Sequence, residues 1–312
     1  MVDISVVIPV YNEELTLEEL FSRLMKLLEN DLSSYEVEII FVNDGSRDRS
    51  LEMLHEFNRS DARCKVLSFS RNFGHQAALL AGIRTAVGKA VVVMDADLQD
   101  PPEVIQQLVG DWKLGSDVVY AQRRDRKGDG VFKRWSASAF YKIIEWLSET
   151  HLPRNVGDFR LMDRRIVDLI VQTEERSLYL RGLVSWVGFK QTAVVFDRDP
   201  RFAGETKYSL TKMINLASDA ILSFSDKPLR IVTRVGLIVT GFAFSLLMFF
   251  LASIPFGYSQ RSPGWLSIVT VLLFLGGVQL ISLGIVGEYV SRIYREAKRR
   301  PLYIVDSKSS TL

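Results

Sequence analysis

The sequence predicts a doubly wound α/β domain followed by a two-helix membrane hairpin. Three observations carry this. Up to about residue 230, short apolar runs alternate with amphipathic stretches. That rhythm belongs to a mostly parallel sheet with helices on both faces. Several of the apolar runs end abruptly in carboxylates. Beyond residue 230 come two long segments without a single charge, Val235 to Ile254 and Trp265 to Gly287.

The elements follow in order. Ile4–Val10, Val37–Val42, Lys65–Phe69, Ala90–Met94 and Asp117–Ala121 read as strands. Glu13–Glu29, Asp48–Ser60, His75–Val87, Pro102–Leu114 and Phe132–Glu149 read as helices between and after them. Pro101 and Pro102 suit a helix start, where the missing N–H is an orphan donor anyway. Leu210, Met213, Ile214, Ala217, Ile221 and Phe224 recur at helical spacing within Ser209–Ser225. Beside a membrane hairpin, such a helix is expected in the interface plane. An ordinary helix on the soluble core is the alternative. Each charge-free segment is long enough to cross a hydrocarbon layer about 30 Å thick. Arg230 and Arg234 precede the first, and Arg292, Arg295, Lys298, Arg299 and Arg300 follow the second. The loop between them holds only Arg261. The positive-inside rule therefore puts both ends in the cytoplasm. Gly277, Gly284 and Gly287 share one face, which could pack on the first span or on another subunit. The expected boundaries are a catalytic domain at 1–208, an interface helix at 209–229, the hairpin at 230–290 and a basic tail at 291–312.

Bulk properties exclude some classes. A formal net charge of +2 over 312 residues gives no support for a nucleic-acid binder. The single cysteine, Cys64, rules out an internal disulfide and reads as an inert structural thiol. The chain enters a strand at Ile4, so no secretory signal peptide is expected. No glycine-rich phosphate loop follows the first strand, which disfavours dinucleotide and P-loop enzymes.

The chemistry gathers at strand ends. Ala90 to Met94 runs into Asp95-Ala-Asp97-Leu-Gln99. Open α/β sheets bind ligands at the carboxyl edge of their strands. Alternate residues on extended chain point the same way, so the two carboxylates repel unless a cation joins them. A hard divalent ion shared with substrate phosphates, Mg²⁺ or Mn²⁺, suits that pair. Solvated turn aspartates are the bland alternative; the buried strand before them and the helix start after them favour the cation site. The first strand ends in Tyr11-Asn12-Glu13, which can reach a nucleobase or cap the next helix. The second ends in Asp44-Gly45-Ser46, which can meet a nucleoside or simply turn the chain.

These residues resemble a known family. Val6-Val-Ile-Pro-Val-Tyr-Asn-Glu13, Val42-Asn-Asp-Gly-Ser46, Arg71-Asn-Phe-Gly74, Met94-Asp-Ala-Asp-Leu-Gln99 with Pro101-Pro-Glu103, Gly157-Asp-Phe-Arg-Leu-Met162, Arg201 with Gly204-Glu-Thr-Lys-Tyr208, and Gly287-Glu-Tyr289 with Arg292-Ile-Tyr294 carry the match. The chain resembles inverting glycosyltransferases of the dolichol-phosphate-mannose-synthase type, and most closely bacterial polyprenyl-phosphate (bactoprenol) glucosyltransferases with two membrane helices.

The resemblance implies a Rossmann-like nucleotide-diphospho-sugar domain of the GT-A class. It implies transfer of one sugar, glucose from UDP-glucose, to undecaprenyl phosphate on the cytoplasmic leaflet of a bacterial inner membrane. GDP-mannose, a UDP-N-acetylhexosamine or a UDP-aminoarabinose derivative would use the same motifs. A non-catalytic partner of a lipid-sugar flippase is the alternative of another class, and a homo-oligomer is possible. Carried over by position, Pro9, Tyr11, Glu13, Asp44, Asp95 and Gln99 line the nucleotide-sugar site, and Asp97, Gln99 and Asp95 serve the metal. Arg123, Arg201 and Lys207 meet the phosphates, as guanidinium groups bind phosphate bidentately. Asp158, with Asp97 and Arg201, is the expected catalytic set. Asp158 matches the family's proposed catalytic carboxylate. It is equally read as orienting the acceptor, holding sugar hydroxyls or capping Arg160. Processive synthases of related fold carry Gln-x-x-Arg-Trp; here Arg134-Trp135 lacks the glutamine, which argues for single-sugar transfer.

Overall fold

The first apolar run forms β1 (Ile4–Val10), with every residue buried. Its alternation divides the core. Ile4, Val6, Ile8 and Val10 face one apolar cluster, and Val7 faces the other. The computed structural model describes residues 2–124, 156–173, 175, 179–197, 225, 227–253 and 264–312. The expected helices at Phe132–Glu149 and Ser209–Ser225, apart from Ser225, lie outside them, as do Arg201 and Lys207.

α1 (Leu17–Asn30) buries Leu17, Leu20, Leu24, Leu27 and Leu28, one stripe at helical spacing. Then come β2 (Val37–Asn43), α2 (Ser50–Ser60), β3 (Cys64–Ser68), α3 (His75–Thr85), β4 (Ala90–Val93), α4 (Val104–Lys113) and β5 (Val118–Arg123). All five expected strands form, with ends shifted by a residue or two. Cys64 is buried in β3, and burial pushes its thiol up to about 12, so it stays protonated.

Two strands were not expected from the sequence. β6 (Val156–Asp163) leads into α5 (Arg164–Gln172) and α6 (Leu180–Val187), and β7 (Gln191–Phe196) follows. The seven strands run in the order β3-β2-β1-β4-β6-β5-β7. β6 is antiparallel to both β4 and β5; the other pairs are parallel. The sheet is therefore mixed, and β4 has a parallel partner on one side only. Helices cover both faces as expected. α1, α2 and α4 contribute to one apolar cluster, and α3, α5 and α6 to the other. Close packing on the second face explains the small residues of α3. A Cβ built on Gly82 would lie 2.2 Å from Val7 Cγ1.

The hairpin consists of α7 (Lys227–Ser253) and α8 (Trp265–Ala297). Both are long and apolar enough to cross a membrane, and their apolar windows are not buried in the protein. Phe242, Leu280 and Ile281 are each about two-thirds exposed, which excludes a core hairpin of the soluble domain. Among the described residues, a Cβ at Gly277, Gly284 or Gly287 would meet nothing within 4 Å, so close approach does not require glycine at these positions. The Tyr289 hydroxyl donates to the Ser225 carbonyl at 2.7 Å. The expected basic tail does not hang free. Residues 302–311 fold back along β3, with bridges Val66 to Thr311 and Phe69 to Val305.

Candidate active site

Strand direction assembles the site. β1, β2 and β4 run parallel, so Tyr11, Asp44 and Asp95 follow their carboxyl ends at one edge. The chain leaves β1 toward β2 on one side and reaches β4 on the other, the switch point where such sheets bind ligands. β6 enters from the same edge. Its register pairs Val93 with Arg160, so extending the pairing by two residues sets Asp95 opposite Asp158.

On the nucleotide side, Pro9 is buried within β1, whereas Tyr11 is 38% exposed. Asn12, at φ 54°, ties β1 to the turn after β2. Its N–H donates to Ser46 Oγ, and its side-chain oxygen accepts from Arg47 N–H. Glu13 is not the cap of α1; its N–H donates to Ser50 Oγ at 2.9 Å. Asp44 is buried, and its two oxygens accept from Phe73 N–H at 2.6 Å and Gly74 N–H at 3.0 Å. Burial raises its pKa despite those bonds. Gly45 makes this closure possible. It holds φ +67°, and a Cβ there would lie 2.5 Å from the Arg71 carbonyl carbon.

The acidic side is more crowded than expected. Asp95 and Asp97 are partly exposed and Gln99 is nearly buried. Asp97 Oδ1 accepts from Gln99 N–H at 3.1 Å. Asp95 Oδ1 is buried with no hydrogen-bond partner, and His75 Nε2 lies 3.5 Å away. Burial, with the charges of Asp158, Asp100 and Asp97, pushes Asp95 up to about 6 against the pull of His75. No group of three His, Cys, Asp or Glu that could hold a metal occurs among the described residues. The set fits an ion of the Mg²⁺ type nonetheless, since such ions take one or two carboxylates and complete their shell with phosphates and water. The Asp95 oxygen, which accepts no hydrogen bond and has the His75 imidazole 3.5 Å away, is the atom at which a metal would complete the set.

Asp158 is almost fully buried and committed. Arg181 Nε and Nη2 donate to its two oxygens at 2.7 and 3.0 Å, and His75 Nε2 lies 3.1 Å from Oδ2. Burial alone would raise its pKa. Arg181 and the hydrogen bond with His75 instead hold it well below the usual carboxylate range. Burial works against charge on His75, but Asp158 and Asp95 outweigh it and push the imidazole up to about 9. Arg160 is buried too. It does not bind the Asp158 carboxylate but donates to the main-chain oxygens of Asp158 and Gly157. Arg123, expected at a phosphate, forks onto the buried Asp100 at 2.9 to 3.2 Å. His75 and Arg181 were absent from the sequence-derived set. Position was the available sign for His75, which directly follows Arg71-Asn-Phe-Gly74; Arg181 carries no comparable sign.

Similarity to known proteins agrees with this geometry. The family described as "Glycosyl transferase family 2" matches residues 5–170, and "GtrB C-terminal hairpin" matches residues 227–293. An uncharacterized glycosyltransferase of Bacillus subtilis (strain 168), YkcC, is 48% identical over 96% of this chain and 92% of its own. A prophage bactoprenol glucosyl transferase homolog of Escherichia coli (strain K12) is 45% identical, covering 97% and 98%. The bactoprenol glucosyl transferase of Shigella phage SfX is 44% identical, covering 98% and 99%.

Proposed function

Since the chain belongs to glycosyl transferase family 2 and carries the GtrB-type C-terminal hairpin, we propose that it moves one glucose from UDP-glucose to undecaprenyl phosphate at the cytoplasmic face of a membrane. The protein is a glycosyltransferase with a GT-A catalytic domain. The observation that supports metal-assisted transfer at a membrane is the Asp95 oxygen without a hydrogen bond, beside Asp97 and Gln99, at the switch point of a sheet joined to an apolar hairpin. Relatives named bactoprenol glucosyl transferase support both the sugar and the lipid.

In this reading Tyr11, Glu13 and Asp44 surround the nucleoside end. Asp95, Asp97 and Gln99 hold Mg²⁺ or Mn²⁺, which when bound neutralises the departing diphosphate. A lipid phosphate oxygen attacks the anomeric carbon from the face opposite the diphosphate. The new C–O bond forms as the sugar–diphosphate bond breaks, which inverts the configuration and releases UDP. A phosphate monoester, with a second pKa of about 6, is largely dianionic at neutral pH and needs no base. Asp158, locked on Arg181 and held below the usual range, is a poor proton acceptor. It serves this chemistry by holding Arg181 and His75 at the crevice. Arg201 and Lys207 remain the proposed phosphate ligands; Arg123 braces Asp100 and the segment after β4.

A donor panel tests the sugar. Full-length protein with undecaprenyl phosphate is expected to make labelled lipid from UDP-glucose, and little from GDP-mannose, UDP-N-acetylhexosamine or a UDP-aminoarabinose derivative. Transfer from one of those, with UDP-glucose inert, overturns the glucose assignment.

A further inference from the structure

The end of the chain touches the loop that closes on Asp44. After α8 the chain turns at Arg299, φ 48°, and lays residues 302–311 against β3. Val66 and Thr311 exchange backbone bonds at 2.8 and 2.7 Å. Asp306 N–H donates to Ser68 O, and Ser70 N–H donates to Ile304 O. Leu302 and Tyr303 pack on the apolar cluster that includes Phe69 and α3.

A continuous contact path leads from there to the nucleotide side. Tyr303 stacks on Phe69 with ring centroids 4.9 Å apart and planes 13° from parallel. Phe69 meets Phe73 edge-on at 5.7 Å. Phe73 N–H donates to Asp44 at 2.6 Å, and the next residues are Gly74 and His75. Residues 70–74 have no ladder of their own, so their placement depends on these anchors. An edge strand left open would also invite foreign pairing; the returning chain covers it.

We propose that residues 302–311 are a strap through which the membrane hairpin positions the 70–75 loop, and that Tyr303 is a positioning residue for nucleotide-sugar binding. The strap carries the end of α8 onto the catalytic domain within a few residues. The loop it braces supplies both donors to Asp44 and the imidazole beside Asp95. Membrane attachment and nucleotide affinity are therefore linked by packing. This inference rests on reading Asp44 as part of the nucleotide pocket.

The test uses the full chain in detergent or nanodiscs, with Tyr303→Ala and Tyr303→Phe. Two quantities are read: amide hydrogen exchange over residues 69–76, and KM against kcat for UDP-glucose. An aromatic stack of this kind is expected to shift the loop equilibrium about three- to tenfold. Tyr303→Ala should then raise KM by that factor, change kcat by less than about twofold, and speed exchange at 69–76. Tyr303→Phe should restore both. Unchanged exchange in Tyr303→Ala, a rise in exchange without a rise in KM, or failure of Tyr303→Phe to rescue overturns the proposal. Should Tyr303→Ala not fold, Asp306→Pro removes the N–H given to Ser68 together with the carboxylate that accepts from Lys308 N–H and Ser309 Oγ; Asp306→Ala, which keeps the N–H, isolates the carboxylate's share, and both are read by the same exchange. If no donor is turned over, exchange alone decides the strap, so its failure and that of the transfer reading stay distinguishable.

Discussion

Asp158 shows how one buried carboxylate organises its neighbours. Arg181 reaches it from α6 and His75 from α3, so three elements meet on two oxygens. Breaking such a buried pair from one side leaves an uncompensated charge. Arg181→Ala should therefore cost about 3–5 kcal/mol of stability. The double variant Asp158→Ala, Arg181→Ala should cost clearly less than the sum of the singles, as measured by denaturant unfolding. Additivity within about 0.5 kcal/mol would show that the pair is not coupled. This cluster was half legible in the sequence. Asp95, Asp97 and Gln99 stand out because a buried apolar run ends in them. Asp158 came only through resemblance. Its partners did not emerge, because His75 lies 83 residues away and Arg181 lies 23 away on a helix of ordinary appearance. Arg123 has a partner that local sequence does not announce. An arginine at a strand end suits a phosphate, and here its fork also meets Asp100, buried 23 residues earlier.

At the scale of elements, legibility followed apolar continuity. β1 to β5 are each built around buried Val, Ile, Leu or Ala, and each is legible. β6 has Asp158, Arg160 and Asp163 breaking its pattern, and a charged buried strand makes sense only once the partners are in place. β7 is half exposed, with Val194 and Phe196 its buried residues, a pattern that fits loops equally well. Charge-free length marked the hairpin, but α8 continues past the expected boundary at 287 to Ala297 because Glu288, Tyr289, Arg292 and Arg295 suit a helix leaving the apolar layer. By the positive-inside rule, the cations at the end of α8 and just after it lead us to propose that the strap lies on the cytoplasmic side. Ser307→Cys, at an exposed strap position, should react with a membrane-impermeant thiol reagent only after the cytoplasmic side is opened. Buried Cys64 should give little background. Labelling of intact cells or spheroplasts from outside would reverse the topology.

On the function proposed, the whole molecule is a nucleotide-sugar site held at a membrane from its C-terminal side. The catalytic domain supplies the crevice at the carboxyl edge of β1, β2 and β4. α7 and α8 supply an apolar surface that, among the described residues, the catalytic domain does not cover. The strap closes the circuit by returning from α8 to the edge of the same sheet, a long-range pairing that no local sequence pattern announces. The reaction proposed for the Asp95–Asp97 site is transfer of a sugar to a lipid phosphate. The most direct measurement is the formation of butanol-extractable labelled lipid from labelled UDP-glucose and undecaprenyl phosphate, with Mg²⁺ or Mn²⁺, by the native chain and by Asp97→Asn. A cation bound there is worth several kcal/mol to the departing diphosphate, so the variant should be slower by about 100-fold or more while remaining folded. Labelled lipid that forms without divalent cation, or equally well in Asp97→Asn, would contradict the account, as would folded native protein that labels no lipid from any donor.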